Sequence, residues 1–233
     1  MFNVKVVITK ALNELYKTEV LDRDLRPLVR YPKQNHKDKK KPLSKSEVNL
    51  VFNQVKGHRL EHVVHLMFKT GLRIGELLAL NWEDIELLED NLIVTHVNKS
   101  IGRSEIGFIE KAPKNRQSIR EVYTYDETLW KLLETARENA KTKWVVPNRS
   151  NSSHMHHMGI ARLLNEIGET IGLIGTLNPH RARHTYISTC LHNGIKPEYI
   201  APQVGHKDTM MIYKVYGRAT EEIKNVFKNM SNY

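Results

Sequence analysis

The chain holds three short segments whose side chains could together handle a phosphate ester. Thr70-Gly71-Leu72-Arg73-Ile74-Gly75-Glu76-Leu77 sets an arginine three residues before a glutamate, beside a glycine, in an otherwise apolar stretch. Arg73 there is either half of a buried ion pair with Glu76 or a phosphate ligand, and the spacing taken alone favours the pair. His180-Arg181-Ala182-Arg183-His184 puts His180 and Arg183 on one face near a helix start, where free N–H groups and the helix dipole attract an anion. An exposed basic helix start is the competing interpretation, although the dipole opposes uncompensated cations in a first turn. Gly205-His206-Lys207-Asp208 is followed, ten residues after its histidine, by Tyr216, with Tyr213 one helical turn earlier. Added to Arg73, Lys114, His180 and Arg183, these supply a nucleophile, two guanidinium clamps and proton-transfer groups, with no carboxylate cluster for a metal. Such a set suits metal-free phosphoryl transfer.

Several elements must hold these groups. Ser44-Lys45-Ser46-Glu47 matches a capping box, with Val48, Val51, Phe52 and Val55 following at helical spacing, so the main domain starts here. Residues 61–80 read as two apolar helical segments interrupted at Thr70-Gly71. Leu92 to Val97 has strand composition, and Gly107–Lys111 and Ser118–Thr124 flank a polar turn, Ala112 to Gln117. This predicts a small antiparallel sheet with a basic hairpin tip. Asp126 can cap a helix bearing Leu129, Leu132 and Leu133, while Ile160, Leu163, Leu164 and Ile167 mark another, both faces reading as core. Asn178-Pro179 is an N-cap and N1 pair for a helix running to Asn193, with Gly194 just beyond it. Ile223, Val226, Phe227 and Met230 form an apolar stripe on a short terminal helix over 220–233, which needs something to pack on.

Composition bounds the rest. Among 233 residues, 36 Lys+Arg oppose 26 Asp+Glu, a formal charge of +10, and hydrophobic residues make up 40%. That describes a folding, basic chain and excludes a disordered tail; the surplus charge suggests a polyanion partner. No apolar run approaches the roughly 20 residues of a membrane span, and no secretory leader pattern opens the chain, so a cytoplasmic setting is expected. The single cysteine, Cys190, reads as a small buried apolar residue rather than redox or metal chemistry. Residues 1–31 read as helices lacking partners, and 32–43, rich in lysine with two prolines, as an interdomain linker.

Thr-Gly-Leu-Arg-Ile-Gly-Glu-Leu at 70–77, His-Arg-Ala-Arg-His-Thr at 180–185 and Val-Gly-His-Lys-Asp at 204–208 occur in the order found in tyrosine recombinases. From about Leu43 to Tyr233 the chain resembles the catalytic domain of that group, the phage integrase family. The resemblance implies an α+β, mainly α-helical domain over 44–233 with a small antiparallel sheet or hairpin, preceded by the C-terminal remnant of a helical, SAM-like core-binding domain at 1–31. It also implies site-specific recombination for a phage or mobile element in a bacterial cell, at the nucleoid.

On that resemblance, Tyr216 attacks a DNA phosphodiester to give a 3′-phosphotyrosyl enzyme and a free 5′-hydroxyl, which a partner strand's 5′-hydroxyl later reverses. No cofactor or metal is required, because Arg73 and Arg183 would neutralise the pentavalent phosphorane. A tyrosine of pKa near 10 is only about 0.1% ionised at neutral pH, so His180 is the candidate base. Lys114 matches the family's hairpin lysine, general acid to the leaving oxygen, with Lys111 as its rival. His206 would hydrogen-bond the scissile phosphate, and Glu76 and His184 would support the site. Many members carry the tyrosine nine residues after this histidine, where this chain has Val215; Tyr216 fits a ten-residue variant ending Val-Tyr-Gly, with Tyr213 as fallback. The implied partners are double-stranded DNA attachment sites and further copies forming a homotetramer on DNA, with the tail helix passed between protomers. A directionality factor or host bending protein is the accessory class it allows; no membrane is involved.

Competing expectations are a type IB topoisomerase-like nicking and closing enzyme, and a DNA-binding protein that has lost catalysis or cleaves only weakly. The full residue set argues against the second. His154-Met155-His156-His157 reads as a polar loop rather than a metal site, having no cysteine or carboxylate at ligand spacing.

Overall fold

The structure, a computed structural model, describes residues 2–29, 41–104, 107–111, 119–206, 209, 210 and 212. Two compact units divide at residue 39. The first carries α1, Phe2–Lys17, and a 3₁₀ turn, Arg26–Leu28. Arg26 ties that turn back to its own unit: it pairs bidentately with Asp24 at 2.8 and 2.7 Å and donates to Asn13 Oδ1 at 2.6 Å. Val7, Val20 and Leu28 are each more than 60% exposed, and no apolar side chain among the described residues of this unit is buried.

The second unit begins earlier than the sequence suggests. Residues 41–43, placed in the linker by composition, are tied to it: Arg181 Nε donates to the Lys41 carbonyl at 2.9 Å, and buried Leu43 donates its N–H to Thr185 Oγ1 at 2.9 Å. The capping box then forms as expected. Ser44 Oγ accepts from Glu47 N, and Glu47 Oε2 accepts from Ser44 N at 2.7 Å, starting α2, Lys45–Val55. The backbone hydrogen bond from Ser44 holds the Glu47 carboxyl below its ordinary value.

Helix α3, Glu61–Thr70, is buried along almost its whole length and stops at Gly71, whose φ of +62° no side chain would favour. A turn of three residues leads to α4, Ile74–Ala79. The sheet follows: β1, Ile85–Leu87; β2, Leu92–Val97; β3, Ser100–Ser104; β4, Gly107–Lys111; and β5, Arg120–Tyr125. It differs from the expected hairpin. Gly107–Lys111 pairs back onto Ser100–Ser104 as an antiparallel two-stranded ribbon, and β5 pairs instead with β2 in an antiparallel sheet ordered β1-β2-β5. β3 is a weak strand by composition, holding Gly102, Ser100 and Ser104, yet it supplies the partner.

Asp126 accepts from Leu129 N at 2.8 Å and opens α5, Glu127–Glu138; α6, His157–Thr170, follows a long connection. Within that connection and at its end the histidines have structural contacts. His154 sits edge-on to Trp144, and His156 caps α6 by accepting from Met158 N. Helices α7, Pro179–His192, and α8, Pro197–Val204, complete the described fold, and both open with proline at N1. A single core joins α2–α6 to the three-stranded sheet through Leu66, Leu77, Ile85, Ile93, Leu133 and Leu164. A smaller cluster of Ile187, Cys190, Ile200, Ala201, Val204 and Ile212 packs α7 on α8, so Cys190 is the buried apolar residue expected. No helix among the described residues is long and apolar enough to cross a membrane.

Candidate active site

Four chain segments meet here: the α3–α4 turn, the first turns of α7, the last turn of α8 with Gly205 and His206, and the first residue of β5. Each is set by local chemistry. Asn178 Oδ1 accepts from Arg181 N at 2.9 Å and fixes the start of α7, which carries His180, Arg183 and His184 in its first two turns. Gly205, at φ +66°, ends α8 and turns the chain so that His206 N reaches the Ala201 carbonyl at 2.9 Å.

Arg183 is 6% exposed and braces two of these turns. Its Nη1 donates to the Gly71 carbonyl at 2.7 Å and its Nη2 to the Val204 carbonyl at 2.6 Å. The start of α7 is therefore not wholly the exposed basic start that was one expectation: His180 is exposed but Arg183 is not. Its arginine lies inside, where guanidinium hydrogen bonds are worth more than in water.

Arg73 is the N-cap residue of α4 and remains 44% exposed in its side chain. Nη1 donates to Glu76 Oε1 at 2.8 Å, Nη2 to the Gly205 carbonyl, and the backbone N–H to Glu76 Oε2 at 2.9 Å. The ion pair favoured by spacing thus exists, and the guanidinium nevertheless keeps a solvent-facing side. Glu76 is 5% exposed and also receives Arg120, whose Nη1 and Nη2 donate to its two oxygens at 3.1 and 2.8 Å. Burial pushes the Glu76 carboxyl up, but the Arg120 hydrogen bonds and charge, and then the Arg73 N–H, outweigh it and hold it below the ordinary carboxylate value.

His206 faces the same guanidinium groups. Burial first, then the charges of Arg183 and Arg73, push its pKa down to about 4, so it is neutral at physiological pH. Its Nδ1 is buried with no hydrogen-bond partner among the described residues. A neutral imidazole can donate one N–H to a phosphate oxygen without adding a charge the site must desolvate. His180 is exposed, with Nε2 3.1 Å from His184 Nε2 and the rings edge-to-face. Which of the two Nε2 atoms donates in this contact is set by the tautomers of the two rings.

Of the residues picked from sequence, Arg73, Arg183 and His206 come together, and His180 adjoins them through His184. Lys114, Tyr216, the fallback Tyr213 and the helix over 220–233 lie outside the described residues. Lys111, the rival general acid, ends β4 opposite Ser100, its stem lying along Gly102. Arg120 was not anticipated. The signal was available in the alternation of β5, where Arg120 shares the inward parity of buried Val122 and Thr124, an orientation that requires a buried acid to meet it.

The arrangement offers two fixed guanidinium groups and a neutral imidazole, with Glu76 the only carboxylate hydrogen-bonded to Arg73 or Arg120 among the described residues. Such a set can receive an oxyanion, since guanidinium groups and an imidazole N–H all donate to negatively charged oxygen.

Comparison with known proteins gives a family and a fold. The family model described as the phage integrase family matches residues 41–222. Prophage integrase IntR of Escherichia coli is 27% identical over 215 residues, covering 82% of this chain and 51% of that protein. Tyrosine recombinase XerA of Pyrococcus horikoshii is 24% identical over 209 residues, covering 89% of this chain and 67% of that protein. The chain spans about half the length of the first curated relatives it matches. Among solved structures, the Tn1549 transposon integrase in complex with a circular intermediate DNA superposes with a TM-score of 0.75 at 17% identity, over 96% of this chain and 78% of that one. A crystal structure of XerA recombinase gives 0.59 at 20% identity, over 87% and 66%. At these identities the superpositions speak for the fold.

Proposed function

The chain belongs to the phage integrase family, and from that premise we propose that it is the catalytic part of a site-specific DNA recombinase, acting for a phage or mobile element. The observation that carries the proposal is the convergence of Arg73, Arg183 and neutral His206 at the 204–206 turn, with His180 beside them through His184. Relatives named as integrases and tyrosine recombinases support it.

In the proposed step, Tyr216 Oη attacks the scissile phosphorus while His180 takes the phenolic proton. The P–O5′ bond breaks, and Lys114 gives a proton to the departing O5′. The product is a 3′-phosphotyrosyl enzyme and a free 5′-hydroxyl, and attack by a partner strand's 5′-hydroxyl reverses the sequence. One phosphoester replaces another, so the step needs no external energy source. Arg73 and Arg183 hold the non-bridging oxygens, where a forked, charge-assisted contact gains most as negative charge develops. His206 donates a hydrogen bond to the same phosphate.

The substrate is double-stranded DNA at attachment sites, in keeping with the surplus of ten positive charges. Residues 1–31 are the end of a core-binding domain, joined by a basic linker to the catalytic domain. Four protomers assemble on DNA, exchanging the apolar stripe of 220–233 around a closed ring. A directionality factor or a host bending protein is the accessory partner, and the setting is the bacterial cytoplasm at the nucleoid. Deleting residues 220–233 tests the assembly: recombination between two sites should fall while cleavage of a single site persists, and an unchanged recombination rate would refute the exchange.

A further inference from the structure

The candidate site contains a third guanidinium for which strand transfer, as set out above, has no task. Arg120 opens β5, and its side chain is only 6% exposed. Besides its fork on Glu76, its Nε donates to the Gln203 carbonyl at 2.8 Å. A fork meeting a carboxylate edge-on fixes the plane of that carboxylate as well as its place. Glu76 then accepts four hydrogen bonds, two from Arg120 and two from Arg73.

The consequence passes to Arg73. Its guanidinium is held on one side by Glu76 and on the other by the Gly205 carbonyl, and Arg120 grips both supports, the first directly and the second through Gln203. The packing is close. A Cβ built on Gly205 would lie 2.8 Å from Arg120 Nη1 and 2.9 Å from Arg73 Nη1, so both guanidinium groups press on the same glycine. Arg120 also opens the strand that leaves the segment carrying Lys114, six residues earlier in the chain.

We propose that Arg120 is a positioning residue for strand transfer: by gripping Glu76 and the Gln203–Gly205 turn, it sets the plane in which Arg73 meets the scissile phosphate. The inference rests on the recombinase proposal and adds to it a residue that does not touch the substrate. A role as mere positive charge would survive replacement by lysine, whereas a fork would not. A role as mere staple would be read in melting and DNA affinity, not in rate.

The experiment compares the parent chain with Arg120→Lys and Arg120→Gln on a nicked suicide duplex. It measures the single-turnover rate of covalent adduct formation, the Kd for the same duplex, the melting transition, and by ¹⁵N NMR the rotation rate of the Arg73 guanidinium about its Nε–Cζ bond. Arg120→Lys should slow adduct formation about 10- to 100-fold, the cost of a small misplacement of a reacting partner. Its Kd should stay within about threefold of the parent's, its melting should stay cooperative, and Arg73 should rotate about tenfold faster. Adding Glu76→Gln should cost little more, because the two residues act as one unit. Parent-like rate and parent-like Arg73 rotation in Arg120→Lys overturn the proposal, as does a rate loss matched by an equal loss of affinity or of cooperative melting in both variants. A parent that forms no adduct sinks the recombinase proposal instead. The NMR comparison then decides the Arg120 contact alone, faster rotation supporting it and unchanged rotation overturning it.

Discussion

The guanidinium of Arg183 donates to the carbonyl of Gly71 at 2.7 Å, joining the second turn of α7 to the glycine that ends α3. The same side chain reaches Val204, so one buried residue holds together three of the four segments that build the site.

Replacing Arg183 by lysine keeps the charge and removes this geometry. A single ammonium cannot span both buried carbonyls, so one of them loses its charged donor, at about 1.5–3 kcal/mol for such a hydrogen bond. Urea unfolding of Arg183→Lys should show a loss of about that size, and adduct formation on DNA should fall to background.

Gly205 and Gly172 both adopt positive φ, but a Cβ at Gly205 would strike Arg120 and Arg73, while one at Gly172 meets nothing within 4 Å. Both alanine variants carry the left-handed backbone cost of about 1–2 kcal/mol. Only Gly205→Ala should also slow DNA cleavage, by about tenfold or more, a gap readable from single-turnover rates of the two variants. Equal rates would mean that the glycine serves the backbone alone.

Asn178 caps the helix that presents His180 and Arg183. Asn178→Ala should cost about 1 kcal/mol, lowering Tm by about 2–4 °C for a domain of this size. Differential scanning calorimetry measures it directly.

The pH dependence of stability follows from His206. Its pKa is about 4 in the folded chain against an ordinary value of 6.5, so the unfolded state takes up a proton first as the pH falls. The stability associated with neutral His206 is fully present above pH 6.5 and is lost as pH falls toward 4; solvent around the half-exposed ring reduces its size. Glu76 shifts in the same sense, and its contribution is lost at lower pH, as its carboxylate protonates. Melting curves of the parent and His206→Asn should converge, the variant gaining on the parent, between pH 6.5 and 4. Parallel curves would contradict the assignment.

Much of this framework is legible in the sequence because it rests on local backbone chemistry. The Ser44–Glu47 box, the glycine stop at 71 and the Asn178-Pro179 start each satisfy or terminate hydrogen bonds within a few residues, and each forms. The three site motifs are legible for a related reason, since Arg73–Glu76 and His180–Arg183–His184 lie on single helical turns. What resists reading is contact across long sequence separation. Arg120 meets Glu76 across 44 residues, and its burial makes sense only once that acid is known to lie inside. The pairing of β4 with β3 rather than β5 likewise runs against strand propensity, and β3 lies against α4, a contact made across the sequence. The ties of Lys41 and Leu43 to the second unit, ahead of Ser44, depend on Arg181 and Thr185, some 140 residues away.

The most direct test of the central claim is to incubate the chain with nicked suicide duplexes taken from the junction that flanks its gene and to map any covalent adduct by mass spectrometry. The account predicts a phosphotyrosyl link at Tyr216, absent in Tyr216→Phe. An adduct at Tyr213, a retained adduct in Tyr216→Phe, or firm binding of the duplex with no adduct would contradict it.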